Sequence, residues 1–231
     1  VVFLGDAVHT AHFSVGSGTK MAMEDAIALA DALAAHPDDL DAAFTEYESV
    51  AQPQVARVQT AARPSLRWWE HFGEYYQAFE PWQFAFHFFS RSIPLQKIRI
   101  RDTRFAERIE AEWRARHDAD VLDTPLEIGS QRAPGRLLTW TSDGELIHAS
   151  GRELDIARAH IIDLDVAQRS AEAPDAELVI LTGGEEEARI FEAERHALTG
   201  ELPVLVELVD GTPDHAATLV LSGRAHAVIS R

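Results

Sequence analysis

The chain has no cysteine. Disulfide frameworks, cysteine-ligated zinc and thiol nucleophiles are therefore excluded, and a cytoplasmic setting is the default expectation. Positive charge is scarce: 21 Lys plus Arg stand against 38 Asp plus Glu, a formal net charge of −17. A surface of that sign repels phosphate, so neither nucleic acid nor a membrane is expected as a partner. No apolar run approaches the roughly 20 residues that a bilayer-spanning helix needs. The opening Val1-Val2-Phe3-Leu4-Gly5-Asp6 is not a signal peptide either, because no basic segment precedes its apolar run. Strict repeats and low-complexity segments are also absent. What is present, 46% hydrophobic and 26% charged over 231 residues, suits a globular protein of one or two domains.

Val1–Leu4 reads as a buried strand entered at its first residue. A strand needs partners for its backbone groups, and no Met opens the chain. The expectation is a piece of a longer protein. A loop rich in Gly, Ser and Thr follows, then a helix over about 19–35 whose Met21, Met23, Ala26, Ile27, Ala30 and Leu33 recur at helical spacing. His36-Pro37 ends it. Asp38 or Asp39 suits the N-cap of a second helix, kinked or restarted at Pro53. Residues 68–89 carry a dense aromatic stripe from Trp68 to Phe89, and a basic stretch from Arg91 to Arg108 follows it. Helices are expected there, broken near Pro81 and Pro94. Asp102–Arg116 reads as a helix with Phe105, Ile109 and Trp113 on one face.

From about Asp118 the texture changes. Short apolar runs at 126–128, 136–140, 146–148, 160–164, 177–181, 204–208 and 227–230 read as strands. Helical stretches at 185–198 and 213–221 separate the later ones. Such alternation argues for parallel α/β structure. The expected organisation is 1–117 and 118–231.

The chemistry concentrates in Gly5-Asp6-Ala7-Val8-His9 and Gly16-Ser17-Gly18-Thr19-Lys20. A carboxylate at a strand tip, Asp6, can accept hydrogen bonds from polyol hydroxyls. Gly16 and Gly18 let backbone pass close to a flat ligand. The helix that follows offers unpaired N–H groups and a positive dipole end to an anion.

This segment resembles the second FAD-binding motif of the single-component flavoprotein aromatic hydroxylases, which read Gly-Asp-Ala-Ala-His, a Pro-rich turn, then Gly-Gln-Gly-x-Asn opening a helix. Gly5, Asp6, Ala7, His9, Gly16 and Gly18 match. Here His12 and Phe13 stand for the usual prolines, Ser17 for the Gln and Lys20 for the Asn. The string is similar to the salicylyl-CoA 5-hydroxylase and 2-aminobenzoyl-CoA monooxygenase branch, continuing through Met23-Glu24-Asp25-Ala26. The resemblance implies FAD as cofactor, NAD(P)H as reductant and an aromatic CoA ester as substrate. It places Asp6 on the ribityl chain and Gly16–Lys20 at the N1/O2 edge of the flavin, with Gly5, Ser17 and Thr19 in the same contact set. No catalytic acid or base is assigned. The family's Gly-x-Gly-x-x-Gly unit is not found in the chain, so activity of these residues alone is not expected.

The implied fold is mixed α/β: a mainly helical first half carrying the C-terminal part of an FAD-binding hydroxylase fold, then a small α/β zone. That zone resembles a shortened Old-Yellow-Enzyme-like barrel, on the runs around Thr124–Gly129, Ala133–Arg136 and Ser222–Val228. Asp210-Gly211 replaces a Gly-rich phosphate turn, so no FMN is expected there.

Plainer readings stand beside these. Packing or capping is favoured for His9 and His12, and no third ligand follows that would make them a metal site. Lys20 serves equally as a solvated charge. Core or subunit interface is favoured for the aromatic stripe, over an apolar wall for an acyl group. The basic run is favoured as a solvated face, over contact with coenzyme A phosphates. The rival to the whole enzymatic reading is a non-catalytic α/β interaction module with a vestigial flavin loop, acting as a homo-oligomer.

Overall fold

Prolines and capping aspartates set most of the helix boundaries. The computed structural model describes residues 1–141, 146–148, 151, 153–166, 175–209 and 211–231. Asp210 thus lies outside the described residues. The chain forms two compact units, Val1–Gly73 and Glu74–Arg231.

The first unit is a helix pair with an N-terminal loop. Helix α1 (Gly18–Ala35) stops at His36, whose ψ of 64° is the departure from helix imposed by Pro37. Asp39 caps α2 (Leu40–Glu70), its side chain accepting from the Ala42 N–H at 3.0 Å. Helix α2 runs on through Pro53 and Pro64, where the sequence led to a kink or restart at Pro53. Ala32, Tyr47 and Ala51 form the buried core, with Leu4, Ala28 and Leu29 against it. Val1–Leu4 is not the buried strand expected. Leu4 is extended, but Val1, Val2 and Phe3 are exposed, and no ladder partner exists among the described residues. A strand is a pairing, and extended backbone alone does not make one.

The division between the units falls in α3 (Phe72–Ala78). Helix α4 (Pro81–Phe89) begins with proline at its first position, where the missing N–H costs nothing. Helix α5 (Leu95–Arg101) starts after Pro94, and α6 (Thr103–His117) is capped by Asp102. Phe86, Leu95, Ile98, Ile109 and Trp113 close a core with Val220 and Leu221 of α8 (Pro213–Ser222). The sequence texture changes at 117/118, but this packing joins residues 74–117 to the strands.

The strands are β1 (Leu126–Ile128), β2 (Gln131–Ala133), β3 (Leu137–Trp140), β4 (Leu146–His148), β5 (Glu153–Leu154), β6 (Ala159–Asp163), β7 (Leu178–Thr182), β8 (Val204–Leu208) and β9 (Ala227–Ser230). Helix α7 (Glu186–Thr199) connects β7 to β8, and α8 connects β8 to β9. β1 and β2 form a hairpin. The other strands form one sheet in the order β5-β4-β3-β9-β8-β7-β6. Its β3-β9-β8-β7-β6 part is parallel, and β4 and β5 join antiparallel. The expected parallel α/β arrangement is present.

Strands β5 and β6 lie at opposite ends of the sheet, yet only residues 155–158 connect them. Such a link spans at most roughly 18 Å. A flat seven-stranded sheet is about 29 Å across. The sheet is therefore rolled, bringing its edges toward each other. Its inner face buries Leu138, Leu154, Leu178, Ile180, Leu205, Ala227 and Ile229 with Leu126, Ile128 and Ala133 of the hairpin. Its outer face buries Val179, Leu181, Val204, Val206 and Val228 with Ala193 of α7 and Ala216 and Leu219 of α8. Alternate residues of one strand serve different cores, as the period of two requires.

Candidate functional site

Gly5–Ala7 forms a single 3-10 turn at the end of the extended segment. Gly5 has φ +55°, and a Cβ there would lie 2.8 Å from that of Ala22. Glycine is required for both reasons. The Gly5 N–H donates to Asp25 Oδ2 at 2.9 Å, and His9 Nε2 meets the same oxygen at 2.6 Å. Asp25 is buried on α1. A buried carboxylate with two donors anchors the turn to the helix. Asp6 follows directly and is exposed.

A second turn, Phe13–Val15, ends in Gly16 at φ +64°. His12 Nδ1 contacts Ser14 Oγ at 2.6 Å, which in turn contacts Ser65 Oγ of α2 at 2.6 Å. A Cβ at Gly16 would meet nothing within 4 Å beyond its chain neighbours. Ser17 is the N-cap of α1 but makes no side-chain capping bond. The first helical bond is Met21 N–H to Ser17 O at 2.9 Å. The Gly18, Thr19 and Lys20 amides precede it, and none has a partner among the described residues. A Cβ at Gly18 would lie 3.8 Å from Asp6 Oδ1. The loop thus brings the Asp6 carboxylate beside Gly18 and its free amides, a pairing 12 residues apart in sequence. Chemically it offers an acceptor for hydroxyls next to donors for an anion.

Lys20 points elsewhere: its side chain is two-thirds exposed and its ammonium pairs with Glu24 one turn on. The role of Asp25 was not read from the sequence. Its signal was there, an acid four residues after Met21 on the helix's buried face. Ser14 and Ser65 carried no signal, since only the fold brings them together.

In the second unit the aromatic stripe is divided. Tyr75 and Phe86 are buried, while Tyr76 and Phe89 are exposed. Arginines of the basic run are engaged with their own unit. Arg99 pairs with Glu110 at 2.6 Å, and Arg91 lies over the Phe88 ring. A buried polar network holds the helices to the sheet. Glu194 of α7 accepts from Tyr75 Oη, meets His87 Nε2 at 3.1 Å and pairs with Arg224 Nε at 2.9 Å. Arg224 also donates to Ser90 Oγ at 2.8 Å and to the His87 carbonyl at 2.9 Å. Burial pushes the Glu194 carboxyl up, but the His87 hydrogen bond and the Arg224 charge outweigh it and hold the pKa at about 2. Burial and Arg224 lower His87 to about 4. Every member of this network has partners, which marks it as architectural. Among the described residues no helix is long and apolar enough to cross a membrane.

The chain is 44% identical over 248 aligned positions to a salicyloyl-CoA 5-hydroxylase of Streptomyces sp., covering 98% of this chain and 47% of that protein. The chain is related to the FAD-dependent aromatic hydroxylases. Shorter matches agree. A 3-hydroxy-4-methyl-anthranilyl-[aryl-carrier protein] 5-monooxygenase of Streptosporangium sibiricum is 52% identical over 68 residues, 29% of this chain and 19% of that one. An FAD-dependent urate hydroxylase of Mycolicibacterium vanbaalenii is 44% identical over 63 residues, 27% of this chain and 16% of that one. The chain thus spans about half the length of the Streptomyces relative and less of the other two. No family model matches the chain, and no solved structure matches it.

Proposed function

We propose that the chain forms part of an FAD-dependent monooxygenase that hydroxylates an aromatic substrate with NAD(P)H and O2. The substrate class is an aromatic acyl-CoA such as salicylyl-CoA or 2-aminobenzoyl-CoA, a reading supported by the name of the long match. The observation that carries the proposal is the Asp6 carboxylate beside Gly18 and three uncapped amides of α1. Bound FAD would supply the redox chemistry. The chain's own task is to hold it. Asp6 accepts hydrogen bonds from ribityl hydroxyls. The amides of Gly18, Thr19 and Lys20, at the positive end of α1, hold negative charge at the N1/O2 edge. Gly5 and Asp25 fix where Asp6 stands, and Gly16 and Ser17 leave room for a flat ring. On this reading residues 1–117 are the C-terminal part of an FAD-binding domain in a cytoplasmic enzyme. Residues 118–231 are a shortened, non-catalytic relative of an Old-Yellow-Enzyme-like barrel without FMN, and the rolled sheet supports that likeness.

Titration of the chain with FAD, followed by flavin fluorescence, tests the cofactor assignment. Saturable binding is expected. Asp6→Ala is expected to weaken it by roughly 10- to 100-fold, the loss of hydrogen bonds to a charged group. A chain that binds no FAD and sediments as a tight oligomer would favour the non-catalytic interaction module instead.

A further inference from the structure

The fold divides the basic run. Arg99 is taken by Glu110 at 2.6 Å and lies 3.8 Å from Asp214, and Arg91 packs on the Phe88 ring. Lys97, Arg101, Arg104 and Arg108 are exposed, and none has a carboxylate partner among the described residues. Lys97 and Arg101 stand one turn apart on α5, and Arg104 and Arg108 one turn apart on α6. Asp102 alone separates the two helices, so Arg101 and Arg104 lie within roughly 11 Å of each other along the backbone. Of the two acids in residues 91–108, Asp102 caps α6 and only Glu107 is left to oppose the four cations. Apolar surface lies open in the same helices. Ile100 is 79% exposed and Phe89 50%. The Phe89 ring meets Phe105 edge-on at 5.2 Å, and the Arg108 guanidinium stands 5.6 Å from the centre of Phe105. Forked guanidinium donors match phosphate oxygens, and an open ring gives a base a face to stack on.

The net charge of −17 decides the size of the ligand. A long polyanion meets the field of the whole chain and is repelled. A ligand of nucleotide size sits within a Debye length of the patch, about 8–10 Å, and meets mainly its four cations. We propose that this α5–α6 corner binds the phosphorylated adenosine end of coenzyme A, the handle of the acyl-CoA substrate. The assignment rests on the acyl-CoA reading above. NAD(P)H carries similar phosphates but must bring its nicotinamide to the flavin. In a CoA ester the phosphates and the aromatic ring lie at opposite ends of a long flexible arm. They can therefore be held on a surface that carries no flavin contact, and binding there serves to position the ring.

The test is calorimetric titration of the 231-residue chain with coenzyme A. Saturable binding that weakens with added salt is expected. Pantetheine, which has no phosphate, should not bind, and NADPH should not displace coenzyme A. Arg101→Gln with Arg104→Gln should weaken binding roughly tenfold, the effect of two surface ion pairs. Phe89→Ala should weaken it roughly fivefold, the loss of a stacked base. Arg57→Gln with Arg63→Gln removes the same charge from exposed positions on α2 and should leave the affinity unchanged. Circular dichroism shows whether the helices of each variant are intact. Absence of binding overturns the site, and so does displacement by NADPH. Equal losses from the two arginine pairs would mark a response to net charge alone and overturn it too. Pyrophosphate bound as tightly as coenzyme A would mean an adventitious ion only. Flavin fluorescence keeps the two assignments apart: a chain that binds FAD but ignores coenzyme A overturns this site and leaves the flavin loop standing.

Discussion

Gly5 and Gly16 have similar backbone conformations, φ +55° and +64°, but different surroundings. An L side chain in this left-handed region costs about 1–2 kcal/mol. Gly16 meets nothing further, so Gly16→Ala should cost about that much. Gly5→Ala adds a Cβ 2.8 Å from Ala22, and neither partner can swing away, because both are fixed to backbone. Gly5→Ala should therefore cost about 2–4 kcal/mol, the strain plus the displacement of α1 from the turn. Hydrogen exchange of the α1 amides measures both variants. Equal effects would mean that the turn can slide on the helix. Asp6 would then not be held by the Gly5–Asp25 bond, and the distance between its carboxylate and the free amides would be soft.

Helix α2 continues through two interior prolines. Each removes a helical hydrogen bond and crowds the preceding turn, at about 3 kcal/mol. Replacing exposed Pro53 with alanine returns that cost but frees the unfolded chain by about 1 kcal/mol. Pro53→Ala should stabilise the first unit by about 2 kcal/mol, measured as a higher urea midpoint at unchanged slope. A loss of stability would show that the proline sets a bend on which the packing of Tyr47 and Ala51 depends. Elements of this kind were legible where local chemistry decides. Pro37, Pro81, Pro94 and Asp102 mark ends that the sequence states outright, and of Asp38 and Asp39 the structure selects Asp39 as the cap. Apolar runs gave β8 and β9 to the residue. Strands β2 and β5 escaped, because three and two residues show no period and exist only through their partners. Val1–Leu4 failed in the opposite direction, with an apolar pattern but no strand partner among the described residues. The roll of the sheet depends on which strands pair, which no single run records. At the candidate site the glycines and Asp6 were readable as a motif. The unpaired amides of the helix start were readable too, whereas the anchoring of the turn by Asp25 appears only once the fold brings Gly5 and Asp25 together.

The whole second unit depends on neutral buried imidazoles. His87 sits within the Glu194–Arg224 network, between α4 and α7. His226 lies before β9, with Nδ1 accepting the Val204 N–H at 3.0 Å. Burial, with Arg224 for His87 and Arg136 for His226, lowers each to about 4 from an ordinary 6.5. In the unfolded chain both take up a proton as the pH falls through 6.5. In the folded unit neither does until about pH 4. Unfolding therefore binds more protons across that window, and stability falls with decreasing pH. Each group removes roughly 3 kcal/mol by pH 4, and the steepest slope is about 2.7 kcal/mol per pH unit for two protons. Glu194 adds a loss of its own from its ordinary 4.5 down to about 2. The Glu194 loss lies below its ordinary 4.5, so above pH 5 the imidazoles dominate. Urea unfolding at pH 7, 6 and 5 should show the stability of the second unit dropping while that of the first changes less. His87→Gln keeps a donor toward Glu194 but cannot titrate, and it should remove one proton from the slope. A slope untouched by His87→Gln would mean that the ring is protonated in the folded protein. Glu194 would then face two cations beside the neutral Tyr75 hydroxyl, and the network would hold the helices on the sheet mainly by charge.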